Sequence, residues 1–198
     1  MNRTPTGADA PLPTPPSTVV KKGRCALVLL LSVLAACSPA LNWRSVPVPE
    51  GALTITLPCK PDHATRAVEL AGAPGELSMT GCDADGATFA VSHLLLDDPA
   101  QVGAALTHWR IAVLANLGPG AAATAVDAPY TPAGVLPVPQ SVRTTVQGQR
   151  ADGTAVTAQA VWFARALGPQ VRLYHAVVYT STPRPDAADT FFAGLVLQ

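Results

Sequence analysis

Charge is scarce in this chain. Asp, Glu, Lys and Arg supply 13% of its 198 residues, far from the high-charge, low-hydropathy composition that keeps a segment disordered. Beyond the short run Lys21-Lys22-Gly23-Arg24 the basic residues are also unclustered. Four of the 13 Lys and Arg (Arg3, Lys21, Lys22, Arg24) and one of the 13 acids (Asp9) precede Cys37, which leaves nine basic against 12 acidic residues from there on. A net charge near −3 with no basic stripe excludes nucleic acid as a partner, because phosphate neutralisation needs grouped Lys and Arg.

Several chemical signatures are missing as well. There is no Gly-x-Ser-x-Gly elbow, no Gly-x-Gly-x-x-Gly turn and no phosphate loop, so no local motif names a nucleophile or a nucleotide. The four histidines (His63, His93, His108, His175) stand at no spacing that would chelate a metal within one element. Asp83-Ala-Asp85-Gly86 opens like a calcium loop, but position 94 is Leu where the bidentate Glu belongs, so a hairpin turn is expected instead. No catalytic residue, metal ligand or cofactor is assigned. A hydrolytic site would have to be assembled from a distance, by His93, His108 or His175 meeting Asp97 or Asp98.

Long apolar runs are absent too. The stretch Cys25 to Leu34, preceded by Lys21-Lys22-Gly23-Arg24 and followed by Ser38-Pro39, falls well short of the roughly 20 residues a bilayer span requires. A positive run, a short apolar run and small residues after it are the parts of a secretory signal. Its last four residues, Leu34-Ala35-Ala36-Cys37, resemble the lipobox of bacterial lipoproteins. That resemblance implies cleavage before Cys37 and acylation of Cys37, with the membrane as a partner through its lipid. Two or three acyl chains anchor stably because each buried methylene contributes about 0.8 kcal/mol. Ser38, not being Asp, implies the outer rather than the inner membrane, with the domain facing the periplasm. The Pro, Thr and Ala-rich residues 1–20 form no amphipathic pattern, and the expected translation start is Val20.

Of the four cysteines, Cys25 leaves with the signal and Cys37 takes lipid, so Cys59 and Cys82 remain. Two thiols in an oxidising compartment tend to pair. A bridge between them would stabilise by on the order of 3 kcal/mol through loop closure. A redox pair would favour Cys-x-x-Cys spacing and zinc would need two more ligands.

The chain divides into residues 1–36 (leader and signal), 37–51 (a Pro-rich tether) and 52–198 (one domain). Leu53 to Leu57 alternates apolar and polar residues as a half-buried strand does. Thr65 to Leu70, Glu76 to Thr80 and Thr88 to Leu96 continue a meander across glycine-rich turns. Asp97-Asp98-Pro99 starts a helix whose Val102, Leu106, Trp109, Val113 and Leu117 recur at three-and-four spacing, and Gly118-Pro119-Gly120 stops it. Residues 121–139 read as a loop with at most a short strand. Ser141 to Gln149, Thr154 to Ala166 and Val171 to Thr180 read as hairpin-linked strands, with a short helix near Ala187 to Phe192 and a closing strand within Gly194 to Gln198. The expected class is α+β, an antiparallel sheet of about six or seven strands covered by one long and one short helix. Trp162, Phe163, Tyr174 and Tyr179 fall on the late strands, as core or as a cross-strand cluster.

This organisation resembles the PsbP-like fold of thylakoid extrinsic proteins and of envelope lipoproteins of the DcrB kind. The resemblance is carried by Leu53-Thr-Ile-Thr-Leu-Pro58 with Pro61, the Phe89 strand running into Asp97, the helix around Trp109, Arg172-Leu-Tyr174 and Phe191-Phe192. It transfers no active site. The expectation for function is a lipid-anchored envelope protein whose domain binds a partner or supports envelope assembly without catalysis. The alternatives are the non-local hydrolase and a binder of a small ligand or metal between sheet and helix.

Overall fold

A computed structural model describes residues 41–198. The signal, the lipobox with Cys37 and the first residues of the tether lie outside the described residues. Strand β1 (Arg44–Val48) is followed by one 3-10 turn (Pro49–Gly51), then β2 (Leu53–Leu57), β3 (Asp62–Leu70), β4 (Ala73–Ala84) and β5 (Ala87–Leu96). A second 3-10 turn (Pro99–Gln101) leads into α1 (Val102–Ala115), then α2 (Ala121–Thr124), β6 (Val126–Pro129), β7 (Val142–Gln149), β8 (Ala155–Leu167), β9 (Gln170–Thr180), α3 (Pro185–Ala193) and β10 (Val196–Leu197).

Seven strands form one sheet in the order β3-β4-β5-β9-β8-β7-β6, and β1-β2-β10 form a second, with every neighbouring pair antiparallel. Period-two alternation sorts the large sheet into two faces. Ala90, Leu94, Leu96, Ala160, Trp162, Leu173 and Val177 pack on one side with Val102, Leu106 and Trp109 of α1. Phe89, Val91, Val161, Phe163, Tyr174 and Val178 pack on the other with Leu53, Ile55 and Leu57 of β2 and Phe191 and Phe192 of α3. Both faces are covered at the middle of the sheet, which explains why β8 is buried without a break from Val156 to Ala164. Strand β3, at the edge, is exposed along most of its length.

Local chemistry sets the joints. The Asp98 carboxylate accepts from Ala100 N–H (2.9 Å) ahead of α1. Asp85 and Gly86, both at positive φ (50° and 71°), turn β4 into β5, and Thr88 Oγ1 closes that turn on Asp83 at 2.6 Å. Pro185 and Asp186 open α3. Its end at Gly194 crosses β2 so closely that a Cβ there would lie 2.4 Å from the Thr56 Cβ, and glycine alone permits this approach.

The α+β class holds, with three corrections. The helical cover is not one long and one short helix: α2, a four-residue helix, lies within the stretch read as a loop, ahead of β6. The large sheet has seven strands, within the expected six or seven, but the described residues also form a second, three-stranded sheet, and β10 pairs with β2 there instead of closing the large sheet. Arg44–Val48, read as tether, pairs with Leu53–Leu57 along its whole length. Prolines misled here, because Pro47 lies on an edge strand, where a missing N–H costs nothing if it points away from the partner.

Candidate functional site

Three strands over seven cannot cover a whole face. Where β1 ends, the large sheet continues past it, and the step between the two sheets is a cleft of about 580 Å³. Its wall is Pro47, Val48, Pro49 and Glu50, and its floor is β3, β4 and β5 through His63, Thr65, Glu76, Ser78, Thr80 and His93. The strand register puts these side chains on one face: His63 stands opposite Thr80, Thr65 opposite Ser78, and Ser78 opposite His93.

His93 sits at the closed end, with 4% of its surface exposed. Its ring lines the cleft, and its nitrogens are not among the sealed side-chain atoms left without a partner among the described residues. Burial, then the Arg172 guanidinium, lower its pKa from 6.5 to about 4, against an opposing pull from Glu50. The imidazole is therefore neutral at pH 7 and offers one donor and one acceptor. Backbone holds it in place: a Cβ on Gly51 would lie 2.9 Å from His93 Cδ2, so only glycine lets the 3-10 turn lie flat on the ring. Tyr174 Oη donates to the Gly51 carbonyl at 2.7 Å, pinning that turn to β9. Burial pushes the Tyr174 hydroxyl up to about 12, and it remains a donor.

The cleft rim is polar and unevenly charged. Glu50 and Glu76 are exposed and have no ion-pair partner among the described residues, where the three ion pairs are Arg110–Asp127, Arg143–Asp189 and Arg184–Asp85. His63 Nδ1 lies 3.0 Å from Thr80 Oγ1. Carboxylates, hydroxyls and a neutral imidazole beside proline rings form a surface rich in acceptors, suited to hold donors with an apolar stem.

The other histidines are placed differently. His175 lies on the opposite face, stacked on Trp162 (centroids 4.7 Å apart) with the Trp109 ring edge-on at 5.7 Å. Its Nε2 and the Trp162 Nε1 are buried without partners among the described residues, and burial lowers its pKa to about 3. His108 Nδ1 accepts from Ala71 N–H at 3.1 Å, tying α1 to the β3–β4 turn. Asp98 caps the helix start and Asp97 accepts from Gln170 Nε2 at 2.6 Å. No hydrogen bond joins His93, His108 or His175 to Asp97 or Asp98, and no cluster of three metal-ligating residues occurs among the described residues.

Cys59 and Cys82 lie at bonding distance with Cα atoms 5.9 Å apart, a separation that suits a disulfide. The late-strand aromatics are core: Trp162, Phe163 and Tyr174 are buried, and Phe163 stacks on its cross-strand partner Tyr174 at 4.7 Å. Of the cleft residues, only His93 stood out in the sequence. Glu76, Ser78 and Thr80 share one side of β4, and their alternation with Leu77 announces a solvent-facing side without saying that β1 shelters it.

Comparison with known proteins gives no further purchase: no family model matches the chain, no curated protein matches it, and no solved structure matches it.

Proposed function

We propose that this protein is a lipoprotein of a bacterial cell envelope, anchored through acylated Cys37 and facing the periplasm, whose domain holds a partner without catalysing a reaction. Leu34-Ala35-Ala36-Cys37, behind a basic and a short apolar run, carries this reading. Ser38 favours the outer membrane under the same resemblance. No helix among the described residues is long and apolar enough to cross a membrane, so in this reading lipid supplies the attachment. Near the start of the described residues, Asn42 N–H donates to Pro58 O at 2.9 Å. The PsbP-like resemblance is likewise part of this proposal and rests on the sequence features that suggested it, Leu53 to Pro58, the Phe89 strand, the Trp109 helix, Arg172 to Tyr174 and Phe191-Phe192. The binding role rests on the cleft beside Glu50, whose groups hold ligands rather than attack them.

Intact mass tests the anchor. Protein expressed with its own signal in a bacterial host is expected to begin at an acylated Cys37, and the acylated species should vanish in Cys37→Ala. An unlipidated or uncleaved wild-type chain would contradict the reading.

A further inference from the structure

The cleft opens beside an unfinished sheet. Strand β3 pairs only with β4, in unbroken register from Asp62 to Leu70, and its other edge has no strand partner among the described residues. It carries no proline, its register with β4 has no bulge and most of its residues are exposed, so Asp62, Arg66 and Glu69 are the edge protection it has. An added strand there would place alternate side chains on the cleft side, level with His63, Thr65 and Ala67.

We propose that the β3 edge and the adjoining cleft together receive an extended peptide segment of a partner protein, its backbone pairing with β3 and a lysine or arginine side chain entering the cleft. Charge complementarity selects the cation. Glu50 and Glu76 stand at the rim without a cationic partner among the described residues. The alkyl stem of a basic side chain leans over His63 and Thr65 of β3, and its head meets Glu76 and Ser78 of β4 across from the Glu50 carboxylate, while the buried His93 ring on β5 forms the far side of the cleft. Arg172, which faces His93 from β9 one register row away, confines the bound charge to the rim.

A second copy of the chain does not fit as well. Antiparallel pairing of β3 with itself keeps the faces, so the copy would present His63, Thr65, Ala67 and Glu69 to the cleft, adding an acid. Arg66, opposite Leu77 of the helix-side core, would remain on the far face.

The inference rests on the partner-binding reading and is independent of the lipid anchor, so the mass measurement and the following titration fail separately. The mature protein, isotope-labelled and solubilised in detergent, is titrated with the acetylated and amidated peptide Thr-Val-Thr-Lys-Thr-Val-Thr and with its norleucine counterpart, monitored by amide shifts and hydrogen exchange. Expected are shifts at residues 62–70, Glu50 and His93, new exchange protection along β3, and at least about tenfold weaker binding of the norleucine peptide. Glu50→Gln and Glu76→Gln should each weaken the lysine peptide about threefold, as suits exposed ion pairs. Equal affinity for both peptides, shifts centred elsewhere, protection of β3 that grows with protein concentration alone, or no binding at millimolar peptide would each overturn the proposal.

Discussion

The two faces of the large sheet bury comparable sets of side chains yet treat their histidines in opposite ways. On the helix side, α1 lies along the sheet and encloses His175 between two tryptophans, leaving its Nε2 unbonded and shut away. On the other side, β1, β2 and α3 cover the middle of the sheet but not the β3 edge, so His93, equally buried by area, lines a cleft. A buried polar group without a partner destabilises by roughly 1–3 kcal/mol. At His175 that cost is offset by ring stacking and yields no access. At His93 the ring lines a cleft, where solvent or a ligand can supply the bond. Closure of the cover, more than burial of the residue, separates a sealed histidine from one that lines a cleft here.

If the faces are equal as cores, the largest losses should be symmetrical. Trp162→Ala on the helix side and Phe163→Ala on the other are each expected to cost about 3–5 kcal/mol in denaturant unfolding. A much smaller loss at Phe163 would mean that the sheet-covered face is loosely held throughout. Next in size is the tie near the cleft-bearing edge. Replacing Cys59 and Cys82 together by Ala should cost about 2–4 kcal/mol, measured against a Thr65→Ala control on exposed β3 that stays within about 0.5 kcal/mol. A neutral double variant would show that β3 and β4 hold their register unaided.

The smallest effect separates the histidines by pH. Each imidazole titrates near 6.5 when unfolded, and in the fold His175 drops to about 3 and His93 to about 4. Below about pH 6.5 the unfolded chain therefore binds protons that the fold does not. The stabilisation is full above that pH and is lost as pH falls toward 4 and then 3, with a slope of up to about 1.4 kcal/mol per pH unit for each histidine. His175→Phe keeps an aromatic ring between the tryptophans and removes one titrating group, so its unfolding midpoint should fall less steeply from pH 7 to 4.5 than the wild type's. Parallel curves would place the titration elsewhere.

Much of this was legible in the chain itself. Alternation at Leu53–Leu57, three-and-four spacing through Trp109, and turn residues at Asp85-Gly86 and Gly168-Pro169 mark their elements, because local periodicity and local turn chemistry are sequence properties. Asp98 as a cap was readable for the same reason, and the Cys59–Cys82 pair by elimination once Cys25 was given to the signal and Cys37 to lipid. The pairing of β5 with β9, from Leu96–Val171 to Ala87–Thr180, and the splitting of the described strands into two sheets depend on contacts far apart in the chain, which no local pattern encodes. The cleft was hidden because it is a shortfall of cover. Its wall, Pro47 to Glu50, is rich in residues that suggest a linker, and its carboxylates look like ordinary solvated positions of β4 and of a turn.

Exchange of the imidazole Cε1 proton in deuterated water, read by peptide mass spectrometry, distinguishes the two faces most directly, since it needs solvent to reach the ring. Measurable exchange at His93 with His175 protected is the expected result, and the lysine peptide should slow exchange at His93 alone. Equal protection of both rings, or faster exchange at His175, would contradict a cleft that opens onto His93 and with it the site on which partner binding depends.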